Sequence, residues 1–399
     1  MNYQLSRRYF LKSSAAVALS QLLGGCARGK TSQILFLQNS IPPQLIKDFR
    51  KSLAGDSKVE FKPQSQLPQI FDLLFSLQQD KDSDLGMKKV INKIFNRSEI
   101  TPSLATLGDV WLSTAIKQNS LEPLSTKSWS NWQNLPEYWQ NLVRRNDRGD
   151  LANNGAIYGA PYRWGGTVIA YRSDKLEPLD ITLKDWQDLW HPKLRDRVSL
   201  LDSYREVIGL TLKKLGRSYN TKNLDSVADL KAELLTLQQQ TKLYSSDRYL
   251  EPLILGDTWV AQAWSTDILP IQKRYPEIEF IIPQSGTSRW ADLWVQPKLP
   301  IAISAPDDSQ PNPVYRWIDY CWQPQTAEKI SQFTDGVSPI LETLEVRGFS
   351  QKLQDNILVN SEILNSDKTE FLLPLEPRTE QQYRDLWVEV RQSSNAALE

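Results

Sequence analysis

The chain has 399 residues, 40% of them hydrophobic, enough for two domains with cores of their own. Lysine plus arginine and aspartate plus glutamate both number 47, so the formal net charge is zero; no basic excess recommends a nucleic-acid partner and no acidic tract marks a long disordered tail. A single histidine, His191, and two cysteines argue against a histidine-based metal site or catalytic triad, so neither a metal nor a cofactor is expected.

The first 26 residues read as an export segment rather than as fold. Ser6-Arg7-Arg8-Tyr9-Phe10-Leu11-Lys12 has the form of a twin-arginine signal, with Arg7 and Arg8 as its pair, followed by a modestly apolar run to Leu23. Leu23-Gly24-Gly25-Cys26 resembles a lipoprotein cleavage box, which makes Cys26 the lipidated residue and puts the protein in the periplasm, lipid-anchored at the outer face of the cytoplasmic membrane. An uncleaved anchor is the other reading, but residues 15–23 are too few and too broken by Ser and Gln to span a bilayer. With Cys26 lipidated, Cys321 stands alone and no intramolecular disulfide forms.

A first strand is expected over residues 33–38. Pro42-Pro43 then opens a helix over 44–53, and a short strand at 59–62 completes the opening unit of a parallel sheet. Helices are expected over 68–77 and 87–95, with a polar break between them. Residues 108–112 read as a strand, with Ser113-Thr114 capping the helix behind it.

The stretch 155–216 organises the rest. Residues 158–162 form an extended segment punctuated by Gly and Pro. Residues 167–171 (TVIAY) are a buried-type strand, and Asp185 caps a short helix carrying Trp186 and Trp190. A strand at 198–201 ends in the polar cluster Asp202-Ser203-Tyr204-Arg205-Glu206, with a helix over 206–215 that stops at Gly216. Such a cluster, between the carboxyl end of a strand and a helix, is where α/β proteins place ligand sites. Beyond it come a helix over 226–242, strands over 259–264, 279–283 and 290–295, a Pro/Asp-rich loop at 306–313, and helices over 314–322, 324–333 and 380–392.

The pieces YGAPYRWGGTVIAYRSDKL and WQDLWHPKLRDRVSLLDSYREVIGLTLKKLG, with the trailing Asn220-Thr221, keep their order and spacing over residues 158–221. Together they resemble the extracellular solute-binding proteins of ABC importers, in the spermidine/putrescine-binding branch. The resemblance implies an α/β, two-lobed periplasmic-binding-protein fold of type II, with the ligand cleft between discontinuous lobes. It assigns residues 32–165 and 291–340 to lobe 1 and residues 166–290 and 341–399 to lobe 2, with crossings near 164–166 and 290–292. It also implies a monomeric receptor that captures a polyamine-like cation and delivers it to an ABC permease.

By the same resemblance Glu206, Asp292, Trp290, Trp264, Ser113 and Ser203 become candidate ligand residues. Carboxylates hold ammonium groups, and aromatic walls cover the chain between them. Each candidate has a plainer reading. Glu206 suits a helix N-terminus by charge alone, Trp264 and Trp290 suit a core, and Ser113 suits an N-cap, as does Asp202 nearby. Ser203 stands where a second acid is usual, and Leu37, Ser40, Ala115 and Val337 stand where aromatics are usual. A different small solute, or a sensory or structural relative that has lost transport, fits these departures as well. An enzyme built on Asp202 and Glu206 has no nucleophile elbow or metal-spaced ligands to support it.

Overall fold

The structure is a computed structural model and describes residues 31–53, 58–79, 102–299, 312–345 and 348–393. Strand β1 (Thr31–Leu37) buries Ile34, Leu35 and Phe36 in succession rather than in alternation, as a strand covered on both faces of a parallel sheet must. It pairs in parallel with β2 (Lys58–Gln64) and β3 (Pro102–Gly108). Between β1 and β2 runs α1 (Pro43–Ser52), with Pro43 in its first turn and Arg50 and Lys51 in its last, where cations meet the negative end of the helix dipole. Its buried face is Leu45 and Phe49. Each contributes about 1.5–3 kcal/mol by burial, and Phe49 meets Trp317 edge-on at 5.0 Å.

Helix α2 (Leu67–Gln79) precedes β3, and α3 (Asp109–Lys117) follows it directly. The strand read over 108–112 is therefore displaced: the extended run is 102–108, and the chain turns helical at Asp109. The Asp109 carboxylate accepts the Ala291 N–H at 2.9 Å, which ties the start of α3 to the sheet. Small pieces follow: β4 (Leu121–Glu122), then β5 (Arg144–Arg145) paired with β6 (Ala156–Ile157).

Strand β7 (Ala160–Arg172) is 13 residues long and belongs to both halves of the sheet. Its front, residues 160–166, lies antiparallel to β12 (Ser288–Pro297), which continues the sheet to β3. Its back, residues 167–172, lies antiparallel to β10 (Val260–Trp264) and β11 (Ile278–Ile281). From β10 the sheet continues in parallel to β8 (Val198–Leu200) and β9 (Thr241–Tyr244). The order is β2-β1-β3-β12-β7-β10-β8-β9, and β13 (Glu370–Phe371) pairs with the first residues of β12.

Each half has its own core. The front half packs Trp139, Trp164, Trp294, Trp317 and Trp322, while the back half packs Trp186, Leu189 and Leu200 with helices α4 (Tyr204–Lys214) and α5 (Leu230–Gln240). Helix α6 (Ser265–Gln272), carrying Pro270 inside it, packs Ile268 into a third cluster with Tyr249 and Ala263. Helices α7 (Pro313–Cys321) and α8 (Pro324–Phe333) cover the front half. Leu353, Leu358 and Leu364 also pack in the front core; Tyr383 and Val390 of α9 (Pro377–Ser393) join the back core. The short helix at Trp186–Trp190 is of the 3-10 type, with Asp185 and Asp188 making its capping box.

The segment read as an export signal, the helix read over 87–95 and residues 306–311 of the Pro/Asp-rich loop lie outside the described residues, and the end of that loop, Asn312 and Pro313, is the N-cap and first residue of α7. Among the described residues no helix is long and apolar enough to cross a membrane, and no group of three or more His, Cys, Asp or Glu side chains is placed to hold a metal ion.

Candidate ligand site at the seam of the sheet

Where the two halves meet, β7 and β12 run side by side in a fixed register. Arg163 lies opposite Asp292, Trp164 opposite Ala291, Gly165 opposite Trp290 and Gly166 opposite Arg289. Side chains alternate along a strand, so residues 163, 165 and 167 share a face with 288, 290 and 292. Gly165 is needed on that face, because a Cβ there would sit 2.4 Å from the Trp290 ring and 2.6 Å from Ser265 Oγ. On the opposite face the Arg289 guanidinium lies 4.4 Å from the Trp164 ring centre.

Glu206 closes one end of the face. Ser203 is the N-cap of α4, its side chain accepting from the Glu206 N–H at 3.5 Å, so the cap is Ser203 and not Asp202. Serine followed three residues later by glutamate is a capping-box pattern, yet the Glu206 carboxylate turns to the seam instead. Ser288 Oγ lies 2.9 and 2.8 Å from its two oxygens, Thr167 donates at 3.2 Å and Gln262 donates at 3.3 Å. Glu206 is 5% exposed, and burial pushes its carboxyl up to about 7 against the pull of the Ser288 and Thr167 hydroxyls. No lysine or arginine pairs with it among the described residues. The neighbouring Arg205 donates to Leu373 O and Asn220 Oδ1 instead.

Asp292 closes the other end, and its charge is already matched. Arg163 Nε and Nη2 lie 2.8 and 2.6 Å from Asp292 Oδ2, and Nη1 donates to Thr334 O at 3.3 Å. Burial, the largest single influence, lowers the Arg163 pKa, but the charge and hydrogen bond of Asp292 together with Tyr162 and Asp267 outweigh it and hold the guanidinium above its usual value. The guanidinium carbon also sits 5.8 Å from the Trp290 ring centre. Beside this pair, Asp267 accepts from the Tyr249 hydroxyl at 2.7 Å, and Tyr249 meets Trp264 edge-on at 5.7 Å. Trp264 and Trp290 are both half-buried, and the Trp290 indole N–H has no acceptor among the described residues.

Glu206 and Ser203 thus share the first turn of α4, while Trp290 and Asp292 share one face of β12. Trp264 stands where β10 runs into α6, whose Ser265 hydroxyl accepts the Gly166 N–H at 3.3 Å. Ser113 lies apart from these groups. It sits inside α3 rather than at its N-terminus; its hydroxyl is buried without a partner among the described residues, and the Gly149 backbone packs against it. At the departing positions, Ser40 accepts the Tyr162 hydroxyl at 2.8 Å, Val337 bridges to Trp164, Ala115 is buried and Leu37 is half-buried.

Arg163 was not among the residues singled out from the sequence. The signal was present: an arginine inside a strand buried on both faces requires a partner, and Asp292 follows from the β7–β12 register. Elsewhere, cavities of about 450 and 380 Å³ flank α1, one lined by Pro43, Ile46, Lys47, Arg50 and Lys51, the other by Thr31, Arg50, Leu53, Lys58, Val59 and Glu60. The first wall is mainly basic, the second sets Arg50 and Lys58 beside a single acid, Glu60, which is already paired with Lys62, and neither includes a seam residue.

A family described as bacterial extracellular solute-binding protein matches residues 101–360, which include β7, α4, β10 and β12. The chain belongs to that family. The spermidine/putrescine-binding periplasmic protein of Salmonella typhimurium is 31% identical over 135 residues, which cover 34% of this chain and 38% of that protein. The match thus spans well under half the length of that relative. The putrescine/agmatine-binding protein of Pseudomonas aeruginosa is 26% identical over 278 residues, 65% of this chain and 70% of that one. The spermidine/putrescine ABC transporter substrate-binding protein PotD of Streptococcus pneumoniae superposes with a TM-score of 0.71 at 17% identity, covering 91% of this chain and 99% of that one. The architecture is therefore the two-lobed α/β periplasmic-binding-protein fold.

Proposed function

We propose that this chain is the solute receptor of an ABC importer and that its solute is an organic amine of the putrescine and spermidine class, held at the seam between the lobes. The observation that carries this reading is Glu206: a buried carboxylate where β7 meets β12, oriented by Ser288, Thr167 and Gln262, with no cationic side chain among the described residues paired to it. A hydrogen bond between an ammonium and such a carboxylate contributes about 1.5–3 kcal/mol. Ring contacts from Trp290 and Trp264 add about 0.5–2 kcal/mol each where water is scarce. The names carried by the relatives support the same class.

On this reading the lobes divide at 164–167 in β7 and again between β11 and β12, and residues 341–373 go with the front lobe. Ser203 positions Glu206, and Ser113 stands outside the contact set. The receptor is a monomer held to the outer face of the membrane by lipidated Cys26 after twin-arginine export, and it releases its solute unchanged to the permease. Titration of the full chain with putrescine and spermidine at low salt tests the reading. Saturable binding that weakens in Glu206→Gln supports it, whereas the absence of both heat and thermal stabilisation with either amine refutes it.

A further inference from the structure

We infer that Arg163 is a built-in occupant of one of two cation positions on the seam, so that the receptor reads one cationic end of its solute and gains nothing from a second. The inference rests on the amine reading above and names its specificity.

The shared face of β7 and β12 carries two carboxylate centres with an aromatic floor between them. Glu206 sits at the Thr167–Ser288 rung and Asp292 at the Arg163 rung. The rungs are four residues apart on each strand, a span of about 13 Å at the usual strand rise. The Trp290 ring lies between them over Gly165. A carboxylate at each end with a ring between suits a molecule with a cation at each end and a hydrocarbon middle.

One end is already filled. The Arg163 guanidinium places two nitrogens on Asp292 Oδ2, sits over the edge of the Trp290 site and sends its remaining nitrogen to Thr334 O. Arg163 is 5% exposed and Asp292 1%. A soluble ammonium would have to displace a group tethered in place, whose effective concentration no free amine approaches. Displacement would also leave the guanidinium buried without its counter-charge. Among the described residues the Glu206 end has no such occupant.

The test compares putrescine with n-butylamine, the same four-carbon chain bearing one amine, on the full chain and on Arg163→Ala. Wild type is expected to bind the two within about threefold of each other, because the second amine meets no open carboxylate. Arg163→Ala exposes Asp292 and is expected to favour putrescine by about tenfold or more, the value of one charged hydrogen bond. Methylguanidinium, filling the vacated position, should raise the melting temperature or the refolding yield of Arg163→Ala but not of wild type. Arg163→Ala/Asp292→Asn, which leaves no lone buried charge, should lose both gains. A wild type that prefers putrescine by tenfold overturns the inference, as does Arg163→Ala with neither the diamine gain nor the methylguanidinium effect. Were neither amine to bind wild type, the amine reading would fall, and the methylguanidinium response would still decide the role of Arg163.

Discussion

Arg163 and Asp292 face each other across β7 and β12 with two guanidinium nitrogens 2.8 and 2.6 Å from one carboxylate oxygen, both side chains sealed from solvent. Two charges that deep persist only because each is the other's counter-ion and because Thr334 O takes a further donor. The pair also links β7 to β12, so its integrity bears on stability and, on the inference above, on ligand choice.

Removing one partner leaves the other buried and unmatched. Asp292→Asn is expected to lower unfolding stability by about 3–5 kcal/mol. Arg163→Ala/Asp292→Asn should lose less than the sum of the two single variants. Urea denaturation of the four proteins reads the coupling directly; additive losses would mean that the pair is not intact in solution.

Glu206 carries a pH signature. Burial raises its pKa from 4.5 to about 7, so between those values the folded state holds a proton that the unfolded chain has released. Stability from this group is full below 4.5 and falls as pH rises through about 7, by up to about 3 kcal/mol for complete burial. Asp109 is also raised to about 7 by burial, and Asp267, Asp292 and Glu342 are raised as well, so Glu206→Gln should remove one part of the slope and Asp109→Asn another. Amine affinity should move the opposite way, rising from pH 5 to pH 8 as Glu206 ionises. A flat affinity profile in Glu206→Gln checks the assignment.

Gly165→Ala places a methyl group where the Trp290 ring now lies. Neither the strand backbone nor the Ser265 side can yield freely, so overpacking should cost about 1–3 kcal/mol. Tryptophan fluorescence should shift as the ring is displaced. The same change at Gly216, which has open space around it but a φ of +68°, should act through backbone strain alone and leave the fluorescence unchanged.

The proposed export signal makes its own prediction. Cys26→Ser should move the protein from the membrane fraction to the soluble fraction, and replacing Arg7 and Arg8 together with lysine should retain it in the cytoplasm. Fractionation of cells expressing each form measures both outcomes.

Much of the fold was legible because local signals agreed. Pro42-Pro43 started α1, Gly216 stopped α4, and the apolar runs at 33–38, 198–201 and 259–264 became strands close to where they were read. The start of α3 was missed because Gly108-Asp109-Val110-Trp111-Leu112 is as apolar as a strand, and only the long-range hydrogen bond from Ala291 to Asp109 shows why it turns helical there. Helix α6 was missed because Pro270 hides it. At the site, Glu206 and Trp290 could be named from the resemblance, but the pairing of Asp292 with Arg163 depends on strand register between residues 129 apart in sequence. Nothing local encodes it.

The most direct measurement is calorimetric titration of the full chain and of Glu206→Gln with putrescine and n-butylamine at low salt and pH 8. A receptor that binds organic amines at Glu206 should give a saturable single-site isotherm with similar affinity for both amines. Binding should weaken by about 1–3 kcal/mol in the variant. No binding of either amine, or equal affinity in wild type and Glu206→Gln, would contradict it.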